Sequence, residues 1–102
     1  MIREIDERRG AIEALCQRFC VRRLELFGSA AAGGFNARSS DLDFLVEFNE
    51  LRPTEYADAY FGILEELQRL FRRDADLVVA RSIENPYLIE SIKRSRTLLY
   101  AA

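Results

Sequence analysis

Apolar residues along this chain recur at two different intervals, and each change of interval marks out an element. Ile5, Ile12, Leu15, Cys16 and Phe19 fall at helical spacing, which predicts an amphipathic helix over residues 3–19 with Gly10 as its weak point. Arg23-Leu24-Glu25-Leu26-Phe27 alternates as a strand does and stops at Gly28. Residues 29–40 are small and polar, and read as a loop with a short helix starting at Ser29. Residues 41–48 form the clearest strand. Leu42, Phe44, Val46 and Phe48 fall on one face; Asp41, Asp43, Leu45 and Glu47 fall on the other. Pro53 opens a helix to about Arg73, whose apolar face is Tyr56, Tyr60, Ile63, Leu64, Leu67, Leu70 and Phe71. Asp76-Leu77-Val78-Val79-Ala80 reads as a third, β-branched strand. Asn85-Pro86 is an N-cap and first-turn signature for a last helix carrying Leu88, Ile89 and Ile92. The expected fold class is α/β (α+β): helices in two layers against a small mixed sheet of about three strands, in the order αβ(α)βαβα. A single domain over residues 1–102 is expected, since 102 residues hold one core and no linker or repeat interrupts them.

Composition narrows the chemistry. With 49% hydrophobic and 31% charged residues the chain belongs with globular rather than disordered proteins. No apolar stretch approaches the roughly 20 residues of a membrane helix. Six of the first nine residues are charged, so no signal peptide is expected, and a cytoplasmic location is. Histidine is absent, which excludes a Ser-His-Asp triad, a Cys-His pair and a His-ligated zinc. Cys16 and Cys20 lie one helical turn apart and read as packing. The net charge of −2 argues against direct nucleic-acid binding, although arginine pairs at Arg8-Arg9, Arg22-Arg23 and Arg72-Arg73 are local basic points. Catalysis by such a chain falls to carboxylates, hydroxyls, arginines and a bound hard cation.

Asp41-Leu42-Asp43 places two carboxylates at i and i+2 on a strand, on one face and a few ångströms apart. They repel one another unless a divalent cation uses their oxygens as ligands, which is how phosphoryl-transfer sites are built. The pattern alone is weak, because Asp74-Ala75-Asp76 repeats it. Its setting adds weight: upstream, a strand ends in Phe27-Gly28-Ser29, a turn whose backbone suits close approach by phosphate. Asp76, at the head of a separate strand, supplies a third carboxylate; Asp74 competes for that role but falls in the preceding turn. Glu47 shares the carboxylate face and reads as polar strand surface. Tyr56, Tyr60 and Phe61 read as core.

Leu26-Phe27-Gly28-Ser29 followed by Ser40-Asp41-Leu42-Asp43-Phe44-Leu45-Val46 resembles the signature of the nucleotidyltransferase superfamily related to DNA polymerase β. The small size and the tail from Asn85-Pro86-Tyr87 to Leu99-Tyr100 resemble its minimal nucleotidyltransferase (MNT) antitoxins. Eleven residues separate Ser29 from Asp41, one more than the superfamily's usual spacing, and Ala30-Ala31-Ala32 stands where many relatives carry an arginine. The resemblance implies that Asp41 and Asp43 ligate two Mg2+ ions, that Asp76 joins them and helps activate the attacking hydroxyl, and that Gly28 and Ser29 hold the β- and γ-phosphates of ATP. It implies as well a partner, a HEPN-domain toxin, silenced by transfer of AMP to a tyrosine; homo-oligomers are compatible with it. Two other readings stand beside this one: an antitoxin that acts by binding alone, and an enzyme that modifies a small molecule such as an antibiotic.

Overall fold

The alternation on either side of Gly28 becomes a pair of antiparallel strands in the structure, a computed structural model that describes residues 3–28 and 41–102. β1 (Val21–Phe27) pairs with β2 (Leu42–Phe48), and β2 runs parallel to β3 (Ala75–Val79). On its other side β1 pairs antiparallel with β4 (Thr97–Ala101), so the sheet is mixed, in the order β3-β2-β1-β4. It has four strands rather than the expected three. The extra one, β4, is five uncharged residues placed directly after a helix, with no polar alternation to set it apart; pairing with β1 is what defines it.

Helices α1 (Arg3–Glu7), α2 (Arg9–Arg18) and α3 (Pro53–Phe71) cover one face of this sheet. Ile5, Ile12, Cys16, Ile63, Leu67 and Phe71 meet Leu24, Leu26, Leu42, Phe44, Val46 and Leu77 there, most of them sealed from solvent. The helix expected over residues 3–19 is interrupted at Arg8, not at Gly10, which is exposed and has open space around it. Strict alternation in β1 would turn Val21 away from this core together with Glu25. A bulge between Val21 and Arg23 adds one residue, and Val21 joins Leu24 and Leu26 inside. The short helix expected from Ser29 lies outside the described residues.

Pro53 stands in the first turn of α3, where the Glu55 carboxylate accepts hydrogen bonds from the Arg52 N–H (3.4 Å) and Nε (2.8 Å). The helix ends at Arg72, in the left-handed region with φ 54°, whose N–H donates to the Gln68 carbonyl. Tyr60 donates its hydroxyl to the Leu77 carbonyl at 2.7 Å and Tyr56 packs edge-on to Phe48, but Phe61 is 64% exposed and does not belong to the core. A 3-10 turn (Ala80–Ser82) leads to α4 (Pro86–Ser95), capped as predicted: Asn85 Oδ1 accepts from the N–H groups of Tyr87 (2.9 Å) and Leu88 (3.4 Å).

Helix α4 crosses to the opposite face, where Ile92 packs on Phe27 and Leu45. Leu45, expected on the polar side of β2, is buried for that reason. Cys16 and Cys20 are both free, but Cys20 is exposed beyond the end of α2, so only Cys16 packs as expected; burial, and then the Glu13 charge, push its thiol up to about 12. Among the described residues no helix is long and apolar enough to cross a membrane.

Candidate active site

Strand register decides which side chains meet. Phe27 of β1 stands opposite Asp43 of β2, and Asp43 stands beside Asp76 of β3, so the three form one row across the sheet on the α4 face. The next row is Glu25, Leu45 and Val78. Asp43 therefore has apolar neighbours along the sheet and a carboxylate beside it. Burial, the Asp76 charge, a hydrogen bond to Asp76 and the Asp41 charge, in that order, push its carboxyl up to about 6. Asp41 precedes β2, is exposed, and lies near enough for its charge to act on Asp43. Asp74 remains in the turn before β3, where its carbonyl accepts the Leu42 N–H at 3.2 Å. The fold thus sets Asp76, not Asp74, against Asp43.

Gly28, at the end of β1, is required twice over. Its φ of +79° lies where L side chains are strained, and a Cβ there would stand 2.5 Å from Oδ2 of Asp43. The Gly28 N–H donates to Ser95 Oγ at 2.8 Å, and that hydroxyl in turn donates to the Ser91 carbonyl at 2.8 Å. One residue on, Arg96 grips Glu25 with Nε at 2.7 Å and an Nη at 2.6 Å, while Arg23 Nε reaches the same carboxylate at 2.9 Å. Glu25 is 2% exposed; the Arg96 hydrogen bonds, aided by Arg23 and opposed by burial, hold its carboxyl below the usual range. The sequence pattern singled out none of Glu25, Ser95 and Arg96. Glu25 sits at a polar point of an alternating strand, and Ser91 and Ser95 are one helical turn apart, but nothing local pairs them with β1. Ser29 lies outside the described residues.

Oxygen donors of this kind suit magnesium or manganese. Asp43 and Asp76 fit such an ion, because the register holds two carboxylates in contact and burial and the neighbouring carboxylates all push Asp43 the same way. Among the described residues no three potential ligands are grouped closely enough to hold a metal, so the fold sets the Asp43–Asp76 pair and not the whole triad. A groove of about 600 Å3, lined by Arg22, Glu47, Phe48, Tyr56 and Arg81 among others, opens at the far end of β2. Glu47 lies there beside Arg22 at 3.6 Å, away from the carboxylate pair.

Comparison with known proteins places this geometry. The family model of the nucleotidyltransferase domain matches residues 8–99. A Methanocaldococcus jannaschii protein, MJ1379, whose name proposes a protein adenylyltransferase, is 34% identical over 79 residues, which cover 78% of this chain and 77% of that one. A solved toxin–antitoxin complex with AMP-PNP superposes with a TM-score of 0.68 at 24% identity, over 92% of this chain and 73% of the other. The complex of a tri-AMPylated Shewanella oneidensis HEPN toxin with an MNT antitoxin gives 0.64 at 20% identity, over 96% and 73%. At those identities the likeness is one of fold. A structure proposed as a minimal nucleotidyltransferase gives 0.65 at 32% identity, over 91% and 90%. With its family match running from before β1 to within β4 and its paired aspartates beside a glycine turn, the chain belongs to the nucleotidyltransferase domain family and is a transferase of that chemistry.

Proposed function

We propose that this chain transfers AMP from ATP to a tyrosine hydroxyl of a HEPN-domain toxin and so serves as the antitoxin of that toxin, in the cytoplasm. The observation that carries the reading is the contact of Asp43 with Asp76 beside the Gly28 turn. Support comes also from relatives: one is complexed with AMP-PNP, another is an MNT antitoxin bound to a tri-AMPylated HEPN toxin. Asp43 and Asp76 would hold Mg2+, and Asp41, whose charge already reaches Asp43, would join them as the cation draws the three carboxylates together; two such ions, when bound, neutralise phosphate charge and favour the ionised form of a hydroxyl.

The protein's own groups account for the rest. Asp43, half-buried between β1 and β3, is a fixed point against which the triphosphate is placed. Gly28 leaves the space beside Asp43 open, and with Ser29 it borders the β- and γ-phosphates. Asp76 is exposed, so an acceptor on another protein can reach it. Its carboxylate accepts the tyrosine proton as the phenolic oxygen bonds to the α-phosphorus; the bond to pyrophosphate breaks on the opposite side. A protein acceptor also suits a pair whose outer member, Asp76, is exposed.

The test is to incubate the chain with α-labelled ATP, Mg2+ and the HEPN toxin, and to follow the label. Label on the toxin, lost in Asp41→Ala with Asp43→Ala, is expected. A stable complex that never acquires label overturns transfer in favour of neutralisation by binding.

A further inference from the structure

The amide of a glycine at a phosphate-binding turn is ordinarily counted among the donors that grip the phosphate. Here that amide is already engaged. Gly28 N–H donates to Ser95 Oγ at 2.8 Å, and the Ser95 hydroxyl completes its own bonding on the Ser91 carbonyl, also at 2.8 Å. Ser95 is, with Glu25, one of two buried polar or charged residues among those described, and both belong to one clamp. Ser95 takes the turn that ends β1; Arg96 takes Glu25, three residues earlier in the same strand. Two consecutive residues at the C-terminal end of α4, Ser95 and its cap Arg96, thus hold β1 and the glycine that follows it.

We infer that Ser95 is a positioning residue for the nucleotide site: by engaging the Gly28 N–H it fixes the turn in its left-handed conformation, against Asp43. Gly28 then shapes the site and does not itself donate to phosphate. The consequence is geometric. The Gly28 Cα sits where even a methyl group would touch the Asp43 carboxylate, so a small swing of this turn changes the space beside Asp43. A hydroxyl is suited to the task because it accepts from Gly28 while donating to Ser91; alanine does neither, and threonine does both.

This inference rests on the proposed nucleotide site but is tested apart from it. In the 15N-labelled chain without nucleotide, the Gly28 amide is expected to exchange with solvent slowly. Exchange should be faster by roughly tenfold in Ser95→Ala, the loss of one hydrogen bond, and near wild type in Ser95→Thr. On addition of Mg2+ and ATP, wild-type Gly28 should keep its protection. Ser95→Ala should bind Mg2+·ATP about three- to tenfold more weakly, and Ser95→Thr should restore affinity. A wild-type Gly28 amide that exchanges freely, or that gains protection only when ATP binds, overturns the inference. So does unchanged Mg2+·ATP affinity in a folded Ser95→Ala chain, or a folded Ser95→Thr chain that behaves as the alanine variant. Should Ser95→Ala not fold, wild-type exchange and the threonine variant still decide. A wild-type chain that keeps Gly28 protected yet binds no Mg2+·ATP would instead refute the functional reading, leaving the clamp as a structural fact.

Discussion

A carboxylate buried beside another carboxylate weakens a fold until a cation joins them, and Asp43 carries that burden. Its carboxyl titrates at about 6 in the folded chain, above the ordinary aspartate value. The folded form therefore takes up this proton more readily than the unfolded form does. In metal-free protein, stability is lower above pH 6 and recovers as pH falls through that value. Asp43→Asn should thus raise the melting temperature at pH 8 in EDTA, by less at pH 5, while lowering transfer at least about a hundredfold. A variant that melts no higher than wild type at pH 8 would contradict this. The i, i+2 carboxylates and the glycine turn were legible from spacing alone. The partnership of Asp43 with Asp76 needed the register of a parallel pair, and Ser95 and Arg96 needed contacts across 67 and 71 residues of chain, which no local pattern encodes.

Elements were legible where contrast was strong. β2 alternates except at Leu45, α3 carries an apolar stripe, and α4 announces itself with Asn85 and Pro86. β4 lacks such contrast, and α4 hides the polarity of β1 by covering its second face, which turns Glu25 from a surface residue into a buried one. Caps show the same dependence on local chemistry. Arg72 closes α3 at φ 54° although glycine suits that position better. Arg72→Gly should stabilise the chain by about 1 kcal/mol, roughly 4–8 °C in melting temperature, with transfer unchanged. Thermal melts beside the labelling assay measure both; a destabilised variant would show that the Arg72 side chain, and not its backbone, matters there.

At the scale of the molecule two carboxylates respond to acid in opposite senses. Glu25 is held below the usual carboxylate range by Arg96 and Arg23, so its contribution is complete above that range and is lost as pH falls below it. Asp43 has the reverse sign and acts higher. In EDTA the melting temperature should rise as pH drops from 8 to 5, then fall below about pH 4. Saturating Mg2+ and ATP should remove the first limb and leave the second, because bound cation keeps Asp43 ionised at no loss. A rise from pH 8 to 5 that persists undiminished under Mg2+ and ATP would separate the carboxylate pair from the metal.

The clamp of α4 on β1 has a consequence for the chain as it is made. Gly28 is synthesised 67 residues before Ser95, and Glu25 71 residues before Arg96, with the strand that borders β1 later still. A nascent chain can assemble α3 and the β2–β3 pair, and so bring Asp43 to Asp76, while the turn at Gly28 is still unheld. The geometry beside Asp43 is therefore finished only when α4 and β4 have been made and docked on β1, so the strand that carries Gly28 waits, folded or not, for partners some seventy residues downstream.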